Sequence, residues 1–163
     1  MVCAAGTLLV STVDAPWLPP GGRADVIRST TAPAPASLVR LLLRRGDRVF
    51  CVPRDGSGRR DLPTRTVPAT DPDGRATARA LAVDVTGCSS AEPVGFVRNT
   101  VAVAPDAPVD TAALEYPWPT PIAHFTVWGS GHEPRVDGTW LPVDGTSPLA
   151  DRHWFPLVSI MLP

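Results

Sequence analysis

Lysine and glutamine are both missing from this chain of 163 residues. Every one of its fifteen basic side chains is therefore arginine, which stays charged at working pH and can hold a carboxylate or phosphate through two parallel N–H bonds. Cysteine is scarce as well. Cys3, Cys51 and Cys88 form no C-x-x-C pair, which argues against a disulfide framework or a structural zinc site and points to a reducing cytoplasm. No apolar run approaches the roughly 20 residues that cross a bilayer. The apolar stretch over residues 2–13 has no basic segment before it, so neither a targeting signal nor a membrane partner is expected. A net charge of -1 gives no long-range attraction for nucleic acid.

What is present suits one folded unit. Hydrophobic residues are 44% and charged residues 19%, enough for a single buried core. The 20 prolines, with abundant alanine, valine and glycine, suggest a GC-rich bacterial genome. Residues 1–36 read as an N-terminal arm or accessory strands, with strands expected over 7–13 and 24–29. Between those strands, Pro16, Pro19, Pro20, Gly21 and Gly22 rule out regular structure. Residues 37–163 read as the main domain. Leu38-Val-Arg-Leu-Leu-Leu43 and Arg48-Val-Phe-Cys-Val52 are strands, joined by the hairpin chemistry of Arg44-Arg-Gly-Asp47. A short extended piece follows over 61–67. Asp71 and Asp73 place carboxylates at the positive end of a helix over 76–85, and Gly87 ends it. Strands are then expected over 94–103, 121–127 and 138–143, with a short final helix from Thr146 toward Ile160. The order implies an α+β mixed sheet flanked by helices, an α/β/α layering.

These residues resemble the Nudix hydrolase superfamily. Val49-Phe-Cys-Val-Pro-Arg54 looks like the apolar strand before the Nudix box, Leu62-Pro63 like its opening and Thr86-Gly87 like its close. Gly138-Thr-Trp-Leu-Pro-Val143 and the segment ending in Asp151-Arg-His-Trp-Phe-Pro156 are similar to the tails of many bacterial members. The resemblance implies a Nudix-like α/β/α sandwich and metal-dependent hydrolysis of a nucleoside diphosphate derivative. The box is degenerate, however. Thr64 and Arg65 stand where the family has glycines. Counted forward from Arg65, the three helix glutamates become Ala80, Val83 and Asp84. Counted back from Gly87, they become Leu81, Asp84 and Val85. Either way Asp84 is the one acid left, and a divalent ion needs more oxygen ligands than that.

The function expected from these readings is binding of a phosphorylated or otherwise anionic small molecule, with the family's hydrolysis lost or weak. Arg59, Arg60 and Arg65 form a basic patch suited to the anion, and Trp118 could stack on a planar group. No cofactor is required on this reading. Two alternatives stay open. One is an active Nudix hydrolase in which Asp84 and an acid from elsewhere, such as Glu92 or Glu115, hold Mg²⁺ or Mn²⁺. The other is a metal-independent enzyme of specialised metabolism using His124 or Glu115 for acid–base work. The resemblance also implies a homodimer as one oligomeric state. The three histidines, His124, His132 and His153, lack metal-ligand spacing. His153, set between aromatics, reads as a packing residue.

Overall fold

The computed structural model describes residues 6–54, 56–102 and 116–159. Glu115, Cys3 and the loop over 103–115 lie outside them. Nine strands form one mixed sheet, accompanied by two helices among the described residues. The strands are β1 (Thr7–Val13), β2 (Arg23–Arg28), β3 (Ala36–Arg45), β4 (Arg48–Pro53), β5 (Arg60–Asp61), β6 (Thr64–Thr66), β7 (Glu92–Thr100), β8 (Ile122–Ser130) and β9 (Thr139–Pro142). The helices are α1 (Arg75–Thr86) and α2 (Pro156–Ser159).

The main path through the sheet runs β1-β2-β7-β8-β3-β4-β5. Its centre is the parallel pair β3 and β8, with Leu38 beside Phe125 and Leu41 beside Trp128. β6 pairs with the first half of β3, and β9 pairs with β4. β1 and β2, from the expected accessory segment, continue the same sheet past β7.

Side chains alternate across a strand, and β3 shows what that does here. Val39, Leu41 and Leu43 face one way and are almost completely buried, in a cluster with Phe50, Trp128 and the inner face of α1. Leu38 and Leu42 face the other way, into a cluster with Val97, Phe125, Trp154 and Leu157. So α1 covers one face of the sheet, and the C-terminal segment with α2 covers the other. Full burial of each such aliphatic side chain stabilises the fold by about 1.5–3 kcal/mol. Beneath α1 the Trp128 indole donates to the Thr126 hydroxyl, which donates to the Leu38 carbonyl.

α1 begins as its sequence predicts. The Asp71 carboxylate accepts from the backbone N–H of Ala76 and Thr77 and from the Thr77 hydroxyl, while Asp73 accepts from the N–H of Arg75. Gly74 takes φ 76° at the N-cap and Gly87 takes φ 80° at the C-cap, left-handed conformations that suit glycine. The Gly87 N–H returns to the Val83 carbonyl.

Two expected elements differ. The extended piece over 61–67 is two strands, β5 and β6, parted at Leu62-Pro63; proline has no N–H to continue a ladder. The expected C-terminal helix is mostly turns up to Phe155, and among the described residues its helical part is Pro156–Ser159, with Ile160 outside them. Pro156 takes the first helical position, where its missing N–H costs nothing.

Candidate functional site

A cavity of about 490 Å³ opens on the sheet face opposite α1. Its floor comes from alternate residues of three adjacent strands: Leu38 and Arg40 of β3, Phe125 of β8, and Val97 and Asn99 of β7. Its rim is aromatic. Trp17, Tyr116, Trp118 and His153 contribute, with Arg54 at one side. Trp17 and His153 stack with ring centroids 4.4 Å apart and planes inclined by 23°. Trp118 meets Phe125 edge to face at 5.0 Å. The Pro-rich turn that carries Trp17 is anchored by the buried Ala15 and Leu18, packed with Ala24 and Tyr116.

Three polar atoms in this cavity lack a geometrically sound partner. Arg40 Nε, Asn99 Oδ1 and the Tyr116 hydroxyl are all buried and make no hydrogen bond among the described residues. Buried polar groups are nearly always satisfied; Asn99 and Tyr116 lie close enough to serve each other, so the deficit that a ligand would fill centres on Arg40. Burial pulls the Arg40 guanidinium down to about 10, against the opposing pull of Asp61, and the nearby Arg54 lowers it further. Burial also raises the Tyr116 phenol, an effect partly offset by the Asn99 side chain beside it. Asp61 is already committed. Its carboxylate accepts from the Leu62 N–H at 2.8 Å and the Trp154 indole at 2.9 Å, and pairs with Arg54 at 3.6 Å. Two guanidinium groups and one engaged carboxylate leave the site with a positive surplus, which favours an anion.

The residues singled out from the sequence are distributed differently. Trp118 lines the cavity. Arg59, Arg60 and Arg65 do not. Arg59 pairs with Asp151 at 2.9 Å, the Arg60 carbonyl accepts from Arg152, and Arg65 pairs with Asp84 at 2.6 Å. Asp84 lies on the exposed face of α1 beside Ala80 and Val83, across the sheet from the cavity. That helix face offers one carboxylate, held by a guanidinium, and does not fit an Mg²⁺ or Mn²⁺ site. Among the described residues no three His, Cys, Asp or Glu side chains gather around one point.

His124 is 9% exposed; its Nδ1 lies 3.0 Å from the Pro35 carbonyl and its ring meets Phe96 edge to face. Burial lowers its pKa, the Pro35 bond opposes that, and Arg98 adds to the lowering. It does not line the cavity. Cys51 is fully buried and its thiol is raised to about 12, chiefly by burial, so it packs as a small apolar residue. No helix among the described residues is long and apolar enough to cross a membrane.

Arg40 and Asn99 were not singled out in the sequence, although Arg40 carries a signal. It is the one charge in Leu38-Val-Arg-Leu-Leu-Leu43, and central strands that are buried on both faces are usually apolar throughout. Comparison with known proteins found no matching family model, no matching curated protein and no matching solved structure.

Proposed function

We propose that this chain binds a small planar anion, a carboxylate or phosphate ester, in the cavity floored by Arg40. The observation that carries the reading is the Arg40 guanidinium itself. Its Nε is buried and has no partner among the described residues, and its side chain lines a chamber rimmed by aromatic rings. Asp61 offsets only part of the cost of burying this cation beside Arg54, and an anionic ligand supplies the rest. Asn99 and Tyr116 add an acceptor and a hydroxyl for a polar edge of the same ligand. Trp118 and Trp17 offer flat faces to its body.

The scaffold in this reading is a Nudix-like α/β/α sandwich whose metal chemistry has been lost. Support comes from the parallel β3–β8 pair, from α1 closing on Thr86-Gly87, and from layers on both sheet faces. The forward count of the box also fits the helix better. It assigns the glutamate positions to exposed Ala80, Val83 and Asp84, whereas the other count uses Leu81 and Val85, which are buried against the sheet. The anion-binding patch is thus moved from Arg59, Arg60 and Arg65 to Arg40 and Arg54.

Calorimetric titration of the chain with benzoate and with phenyl phosphate tests the reading. Saturable binding that Arg40→Met abolishes supports it. Binding that survives Arg40→Met, or no binding of either probe at millimolar concentration, overturns it.

A further inference from the structure

Behind the Trp17–His153 stack lies a second cavity, of about 480 Å³. Trp17, Val97 and His153 line both cavities, so the stacked pair is the wall between them. The second chamber differs in character from the first. Val10, Ala24, Val26, Phe155 and Pro156 give it an apolar lining. Its charged side chains, Asp151 and Arg152, form an ion pair with each other, and Asp151 also holds Arg59. No unpartnered charge there calls for a polar group, and water in an apolar chamber finds few hydrogen-bond partners.

Resting on the reading above, we infer that the ligand is a head-and-tail anion. Its charged head sits at Arg40, its flat body lies among the aromatic rings, and an apolar tail passes the Trp17–His153 wall into the second chamber. The wall is suited to yield. Trp17 is 43% exposed at the tip of a Pro-rich turn whose base is fixed by buried Ala15 and Leu18, so its ring can swing while the turn stays anchored. The two chambers then form one continuous channel, polar at the sheet floor and apolar toward β1.

A series of 4-alkylbenzoates tests this on the full chain: benzoate, 4-butylbenzoate and 4-octylbenzoate, each titrated by calorimetry. Affinity should rise roughly threefold to fourfold for each added methylene until the second chamber is full. Ala150→Trp and Thr12→Phe each fill that chamber from a different segment. Both should abolish the gain with tail length while benzoate itself binds as before. Equal affinity across the series overturns the head-and-tail inference and leaves the anion site standing. A gain that persists in both filled variants also overturns it, because the tail then lies elsewhere. If Arg40→Met binds the whole series as well as the natural chain, or if no probe binds, the anion site fails too.

Discussion

Arg65 on β6 and Asp84 on α1 face each other as an ion pair of 2.6 Å, both side chains open to solvent at 39% and 61%. The one acid left on this helix face therefore neutralises a neighbouring arginine. An exposed pair of this kind contributes about 0–1 kcal/mol. Asp84→Ala is expected to stay within about 1 kcal/mol of the natural chain in urea denaturation. Titration with Mg²⁺ or Mn²⁺ should likewise show no millimolar binding that disappears in that variant. Metal binding lost with Asp84 would revive the hydrolase reading.

Asp61 is a different kind of carboxylate. It is 4% exposed and joins the Leu62 N–H, the Trp154 indole and Arg54. Asp61→Ala leaves a buried indole N–H unsatisfied and removes the carboxylate that offsets Arg40 and Arg54. A loss of about 3–5 kcal/mol is expected in chemical denaturation, and Asp61→Asn, which keeps an acceptor, should lose less. A near-neutral Asp61→Ala would mean that this network does not hold the C-terminal segment to the sheet.

The buried His124 sets a direction for the response to acid. Its folded pKa lies below the ordinary 6.5, with burial the leading cause. Between the two values the unfolded chain binds the extra proton, so stability rises with pH. The contribution is fully present above 6.5 and is lost as pH falls through the folded value. Melting temperatures across pH 5 to 8 should fall on the acid side, and His124→Phe should flatten that slope (the pH range is about that over which histidine changes charge). An unchanged slope would assign the acid sensitivity to other groups.

Arg40 gives the sharpest contrast between stability and binding. A structural arginine loses stability when removed. A buried arginine with an unpartnered Nε should not, because an apolar isostere avoids its desolvation. Arg40→Met is expected to be as stable as the natural chain or more so, yet unable to bind benzoate. Destabilisation by several kcal/mol would make Arg40 a fold residue whose partner is Asp61.

Much of the fold could be read from local chemistry. β1 spans Thr7–Val13, the stretch expected to be a strand, and α1 lies within a residue of its expected ends because Asp71, Asp73 and Gly87 mark them. Ends set by long-range pairing were less legible. β8 runs to Ser130 because it pairs with β3 as far as Leu43, which no local pattern announces, while β3 reaches Arg45 through its hairpin with β4. The cavity was hidden for the same reason. Trp17, Arg40, Asn99 and His153 come from four separate segments, and only the sheet order brings them together. The loop with Arg59 and Arg60 is rich in cations, but after folding the Arg59 guanidinium meets Asp151 and the Arg60 carbonyl accepts from Arg152, which the sequence spacing does not reveal.

The most direct test of the anion site is a crystal structure of the chain soaked with benzoate. The carboxylate is expected within about 3 Å of the Arg40 guanidinium, with the ring between Trp17 and Trp118 and the polar edge toward Asn99. Benzoate found instead at Arg59, Arg60 or Arg65, with the Arg40 chamber empty, would contradict the account.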